Sequence, residues 1–224
     1  MSIAALIPVK GFTNAKQRLA GLLGAQERAV LAEVMFRDTL SQVRQARGFA
    51  AVFVVTSNRD VAQIAAAAGA SVIAEPAEKG ETEAVHFGLA VIGGKGIRSA
   101  LVIPADIPLL RAADLESLCA DPIRAPSVLL VPSHDEMGTN ALLLTPPDVL
   151  ELRFGYDSFS YHRKAAGAKG IEPKIIRNDR IALDIDEPQD LRRFLSLSAD
   201  GETRRAILAM KVPEFALAAN SQAQ

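Results

Sequence analysis

The sequence predicts an α/β domain with a mostly parallel mixed sheet flanked by helices, and three observations carry that expectation. Apolar residues switch repeatedly between a period of two and a period near 3.6 along the chain. Helical stretches of ten or more residues between successive strand-like runs require right-handed βαβ crossovers. Two segments, Leu101-Val-Ile-Pro-Ala-Asp106-Ile-Pro-Leu109 and Leu183-Asp184-Ile-Asp186, put carboxylates straight after apolar β-formers, where a parallel sheet presents its ligand-binding edge.

Taken in order, Ile3 to Val9 reads as a first strand stopped by Pro8 and Gly11. Gln26 to Gln45 carries Val30, Leu31, Val34, Met35, Leu40 and Val43 at helical spacing. Val52 to Val55 is a second strand, Asp60 to Ala68 a helix with an acid in its first turn, and Ser71 to Ala74 a third strand. Thr82 to Ile92 is a helix ended by Gly93-Gly94, and Ala100 to Ile103 a fourth strand. Ser127 to Val131 and Ala141 to Leu144 are strand-like runs separated by the polar turn His134-Asp-Glu-Met-Gly138, which predicts an antiparallel or mixed section. Ser158 to Ala166 reads as helix, Lys174 to Arg177 and Ile181 to Leu183 as extended, and Pro188 to Leu197 as a helix with proline in its first turn. Residues 1–200 form one domain in this reading; 201–224 form a C-terminal extension, with a helix at Glu202 to Met210 and a frayed tail from Glu214 to Gln224.

Composition excludes several functions. In 224 residues aromatics are 5% and Trp is absent, which disfavours nucleic-acid binding by base stacking. The net charge of −1, from 25 basic and 26 acidic residues, gives no long-range pull toward nucleic acid or anionic membrane. No signal peptide or membrane-spanning run is legible, so the expectation is a cytoplasmic protein. The lone Cys119 excludes a disulfide framework and reads as a core thiol.

No G-x-G-x-x-G, Walker loop or G-x-S-x-G is present, so a dinucleotide site, a P-loop and an α/β-hydrolase are all unsupported. The first strand is followed instead by a loop carrying Lys10, Gly11, Lys16 and Arg18. Three cations within nine positions, with a glycine for close backbone approach, suit a nucleotide triphosphate; the plainer alternative is a solvated basic loop. Asp106, Asp184 and Asp186 at the sheet edge suit Mg²⁺, a hard cation that prefers oxygen ligands. Asp184 and Asp186 alternate with Ile185 and so share a side, where close carboxylates repel unless a cation sits between them. A turn role for Asp106 and a helix N-cap role for Ser158 are the simpler alternatives.

Ile7-Pro-Val-Lys10 with Ala15-Lys16-Gln-Arg18-Leu19, Ile103-Pro-Ala-Asp106-Ile-Pro-Leu109, Gly138-Thr-Asn-Ala-Leu142, Phe154-Gly155-Tyr-Asp-Ser158-Phe159 and Leu183-Asp184-Ile-Asp186 together resemble the 2-phospho-L-lactate guanylyltransferase family of coenzyme F420 biosynthesis. The likeness is collinear from about residue 3 to residue 195. It implies a single-domain, glycosyltransferase-A-like nucleotidyltransferase fold and transfer of GMP from GTP to a small phosphorylated acid. It implies Mg²⁺ on Asp106, Asp184 and Asp186, and a phosphoacid pocket at Thr139, Gly155 and Ser158. It further implies a monomer or homodimer that hands its product to a downstream deazaflavin transferase. Lys79-Gly-Glu-Thr-Glu-Ala-Val85 departs from the Gly-Leu-Asn type of sequence common at that place, which leaves the guanine-reading residues open.

The chemistry agrees with these residue types. A phosphate monoester has a second pKa of about 6, so the acid is its own nucleophile and no histidine or cysteine base is required. What the reaction needs is charge neutralisation, here by metal-bound aspartates and by Lys10, Lys16 and Arg18 on the phosphates. His86, His134 and His162 are accordingly expected to be non-catalytic. The family spans 2-phospho-L-lactate, phosphoenolpyruvate and 3-phospho-D-glycerate. The alanine-rich composition, Asp135 to Asn140 and Asp157 to Phe159 are similar to the proteobacterial branch and favour 3-phospho-D-glycerate. Rival readings are a nucleotidyltransferase for a molybdenum cofactor or a sugar phosphate, and a non-catalytic GTP-binding domain.

Overall fold

The computed structural model describes residues 2–121, 124–197 and 200–210, so the predicted tail from Glu214 to Gln224 lies outside the described residues. Among the described residues, the strands β1 (Ile3–Pro8), β2 (Phe49–Thr56), β3 (Ser71–Ala74), β4 (Ser99–Val102), β5 (Ser127–Pro132), β6 (Thr139–Thr145) and β7 (Lys174–Ile175) form one sheet. Their order is β3-β2-β1-β4-β6-β5-β7. β1 pairs in parallel with β2 and β4, β2 with β3, and β5 with β7. β6 alone is reversed, antiparallel to both β4 and β5. The mixed section that the turn at His134–Gly138 predicts is therefore one inverted strand inserted between two that run with the rest.

The helices are α1 (Ala25–Gln45), α2 (Arg59–Ala67), α3 (Glu81–Gly94), α4 (Ala112–Leu118), α5 (Ser158–Ala168), α6 (Pro188–Ser196) and α7 (Glu202–Ala209), with a short 3-10 turn at Gln17–Leu19. Side-chain alternation along β1 splits the core between the two faces of the sheet. Ile3, Ala5 and Ile7 pack with Phe36, Leu40 and Val43 of α1 and Val61 of α2. Ala4 and Leu6 pack with Val85, Leu89 and Ile92 of α3 and Phe159 of α5. β1 is buried on both faces, which explains its unbroken apolar run; each such Leu or Ile contributes roughly 1.5–3 kcal/mol by burial.

A third cluster matters most for the site. Leu19, Leu31, Met35, Leu183, Ile185, Leu191, Phe194 and Ile207 join the 3-10 turn, α1, α6 and α7 beneath the second acidic segment. α7 is tied to α1 through Asp38, whose Oδ2 accepts from Thr203 N at 2.9 Å and Thr203 Oγ1 at 2.7 Å. Among the described residues no helix is long and apolar enough to cross a membrane.

Three expectations need correction. Ile181 to Leu183 is irregular and forms no strand, because Ala182 N donates back to Asn178 O at 2.8 Å in a turn, and just beyond it Ile185 N donates sideways to Asp106 O at 3.2 Å instead of joining a ladder. The extended run at Lys174 shortens to two paired residues, since beyond Ile175 only the Ile176 N–H reaches β5, donating to Leu130 O at 2.9 Å. Ser158 is the first residue of α5 and Asp157 precedes it as the cap, so the N-cap alternative for Ser158 does not hold. α4 has no counterpart among the expected elements, and Cys119 caps its C-terminal end. That thiol is half-buried against the first cluster, and burial pushes it up to about 11, which leaves it unreactive.

Candidate active site

Two clefts open along the carboxyl edge of the sheet and share a wall. The larger, about 570 Å³, is lined by the loop from Pro8 to Lys16, by Ser57 and Asn58 after β2, by Glu75 and Glu78 after β3, and by Asp106 after β4. The smaller, about 430 Å³, is lined by Arg18, His134, Thr139, Phe154, Gly155, Ser158 and Asp184. Glu81, Pro104, Asp106 and Asp186 line both. All nine residues singled out in the sequence border one cleft or the other. They divide, however: Lys10 and Lys16 face the larger, whereas Arg18 lies in the smaller and donates to Glu187 Oε1 at 3.3 Å.

The shared wall is a junction of charge. Lys16 Nζ donates to Asp106 Oδ2 at 2.5 Å and to Asp186 Oδ1 at 2.7 Å, so residues 90 and 170 positions away in the chain meet on one ammonium. Lys16 sits at φ 53, a left-handed conformation that a non-glycine side chain adopts only when its surroundings hold it there. Burial alone lowers the Lys16 pKa, but the Asp106 and Asp186 carboxylates outweigh it and raise it above the ordinary lysine value. Burial likewise pushes Asp186 up, and the Lys16 charge more than reverses that.

The remaining acids are not neutralised. Burial and the Asp106 charge push Asp184 above the usual carboxylate range, and its Oδ1 accepts from Asn140 Nδ2 at 2.9 Å. Burial and Asp106 also push Glu81, at the start of α3, up to about 7. Asp106 Oδ1 is buried with no hydrogen-bond partner among the described residues. A buried carboxylate oxygen left unpaired, beside a surplus of negative charge, fits a hard divalent cation. Asp106, Asp184 and Asp186 supply oxygen donors suited to Mg²⁺, although among the described residues no group of three acids is already drawn together as a cage. Lys16 stands between two of them.

Backbone geometry fixes both loops. A Cβ on Gly11 would lie 2.7 Å from Asn58 Nδ2, so a larger residue there would push the Asn58 amide aside. Asn58 in turn caps α2, accepting from Asp60 N at 3.0 Å and Val61 N at 3.1 Å. Gly155 adopts φ 102, where any other residue is strained, even though its surroundings leave room for a side chain.

The segment before Gly155 is held by side chains on three consecutive backbone N–H groups. Leu152 N donates to His86 Nε2 at 3.2 Å, Arg153 N to His162 Nε2 at 3.2 Å, and Phe154 N to Thr82 Oγ1 at 3.0 Å. Sequence reading left His86 and His162 without a structural task and missed Thr82, Glu81 and Asn140. Asn140 was visible within Gly138-Thr-Asn, beside Thr139 on β6. The other tasks depend on backbone groups of another segment and leave no residue-type signature.

The family profile described as guanylyl transferase CofC like matches residues 3–213. A phosphoenolpyruvate guanylyltransferase of Conexibacter woesei is 38% identical over 200 residues, covering 89% of this chain and 90% of the relative. A 3-phospho-D-glycerate guanylyltransferase of Colwellia psychrerythraea is 37% identical over 194 residues, covering 87% of this chain and 91% of the relative. Among solved structures, a cytidylyltransferase of Leptospira borgpetersenii superposes with a TM-score of 0.61 at 14% identity, with 100% of each chain covered, which shows the nucleotidyltransferase fold.

Proposed function

The chain belongs to the family of CofC-like guanylyl transferases, and on that premise we propose that it transfers GMP from GTP to a small phosphorylated three-carbon acid in coenzyme F420 biosynthesis. The observation that carries the reading is the junction of two clefts at Asp106 and Asp186. The larger cleft takes GTP, with Lys10 beside its phosphates. The smaller takes the acid, with Thr139 and Ser158 offering hydroxyls and the eleven-residue α5 offering the positive end of its dipole.

At the junction, a phosphate oxygen of the acid attacks the GTP α-phosphorus in line. The new P–O bond forms as the bond from α-phosphorus to the bridging oxygen breaks, and diphosphate leaves with that electron pair. No proton is abstracted, because the phosphate is already largely dianionic at neutral pH. Mg²⁺ bound by Asp106, Asp184 and Asp186 would neutralise the two phosphates and the departing diphosphate. Lys16 keeps Asp106 and Asp186 together until then, and Asn140 orients Asp184. The product is a mixed diphosphate, the activated form that a downstream deazaflavin transferase consumes, and the protein acts as a monomer or homodimer.

Purified protein incubated with GTP, Mg²⁺ and each acid in turn, 3-phospho-D-glycerate first, tests the proposal. One acid should yield diphosphate and the guanylylated acid in equal amounts. GTP binding with no diphosphate from any three-carbon phosphoacid would leave a non-catalytic GTP-binding domain as the better reading.

A further inference from the structure

The buried hydrogen bonds behind the smaller cleft carry an inference that rests on the guanylyltransferase reading and deepens it. Arg153 N–H donates to His162 Nε2 at 3.2 Å. A backbone N–H has only a proton to give, so Nε2 holds the lone pair, and in a neutral ring the proton sits on Nδ1. Nδ1 lies 3.0 Å from Thr139 Oγ1. The ring is fully buried, and burial together with the nearby Arg153 charge pushes it down to about 4, so the neutral form prevails near neutral pH.

Thr139 Oγ1 therefore accepts the His162 Nδ1–H, while Ser158 Oγ, at 3.5 Å, is at the edge of hydrogen-bond range and is free to turn to the acid. With a lone pair of the Thr139 hydroxyl engaged from the protein side, its own proton is left over. Thr139 and Ser158 both line the acid cleft.

We propose that His162 is a positioning residue: by holding Nδ1–H against Thr139 it compels that hydroxyl to act only as a donor toward the acceptor acid. An unconstrained threonine hydroxyl rotates and offers an incoming anion either a proton or a repelling lone pair. Fixing it as a donor before the acid arrives removes the wrong orientation. The same imidazole accepts from the Arg153 N–H, which fixes the tautomer and so keeps the proton on Nδ1.

Two substitutions separate this role from simple packing. His162→Asn keeps an amide donor near the Nδ1 position and loses the acceptor for Arg153. His162→Gln reaches the Nε2 position with an acceptor and loses the donor to Thr139. The Asn variant should hold KM for the acid within about threefold of wild type. The Gln variant should raise it about tenfold, the weight of one hydrogen bond, with KM for GTP unchanged in both. In a Thr139→Val background the difference between the two should vanish, because the hydroxyl they act through is gone. Parallel changes in kcat and both KM values for the two variants would overturn the proposal.

¹⁵N NMR of histidine-labelled full-length wild-type protein gives an arm independent of activity and of variant folding. An Nδ1–H tautomer at His162 supports the assignment. An Nε2–H tautomer overturns it, since Thr139 would then be giving its proton to the ring. If no acid accepts GMP, the guanylyltransferase reading falls, and the tautomer still decides the hydrogen-bond assignment separately.

Discussion

The two clefts differ in how they are built. The larger is made by loops that follow parallel strands, and its side chains act through charge, with Lys10 and Lys16 on one side and Asp106 and Asp186 on the other. The smaller is made around the single reversed strand β6 and is wired by neutral hydrogen bonds within the protein. A charge-dominated cleft suits a polyphosphate that arrives with its metal. A prewired one suits a small acid that offers few atoms for recognition and must be held at one angle.

The comparison predicts that variants at the junction lose turnover while variants in the acid cleft lose affinity for one substrate. Asp106→Asn should reduce kcat by a factor of about 10³ or more, the scale of removing one strong electrostatic contribution, even at saturating Mg²⁺. A near-normal rate of diphosphate release would break the idea that the clefts meet on a metal seat.

The buried His162 marks the acid cleft as pH-sensitive in stability. Its imidazole titrates near 6.5 when unfolded and at about 4 in the native protein, so between these values the unfolded chain holds the proton and the native one does not. The stabilisation is complete above pH 6.5, is lost as pH falls, and stops changing below about 4, amounting to something on the order of 3 kcal/mol. Denaturant midpoints at pH 7 and pH 5 should therefore drop more for wild type than for His162→Gln. Equal drops would mean that another group governs acid sensitivity.

Ser158→Ala should raise KM for the acid about tenfold and leave that for GTP nearly unchanged, as expected for one hydrogen bond to a charged group. An equal effect on both substrates, measured by steady-state diphosphate release, would misassign the pocket. The smallest effect is expected at Arg18, an exposed partner of Glu187. Arg18→Ala should change unfolding free energy by less than about 0.5 kcal/mol, while the KM for the acid shows whether this cation serves the smaller cleft rather than the nucleotide.

The same contrast explains what the sequence made legible. The parallel half could be read because β1 and β4 are buried on both faces and its helices show a 3.6 period, so Ile3 to Val9 and Gln26 to Gln45 need no tertiary information. Asp106 was legible because it closes the short Ile103-Pro-Ala stretch that leaves β4. The place of Asp184 and Asp186 on the cleft wall was legible and their local structure was not: alternation with Ile185 imitates a strand, while the segment is pinned by Ile185 in the third cluster and by a backbone bond to Asp106. The tasks of His86, His162 and Thr82 were hidden because each consists of accepting a backbone N–H from a segment 72 or fewer positions away, which any sequence at Leu152 to Phe154 can donate. Lys16 reads as a phosphate ligand on charge alone, and only folding reveals that two aspartates claim it.

The meeting of the two substrates can be measured directly by ³¹P relaxation in a complex of the protein with Mn²⁺, a GTP analogue with a non-cleavable α,β bridge, and the phosphoacid. The arrangement predicts that one bound ion broadens both the α-phosphorus of the nucleotide and the phosphorus of the acid, and that Asp106→Asn removes both effects together. Broadening confined to the nucleotide, with the acid bound and its phosphorus unaffected, would contradict a shared seat between the clefts.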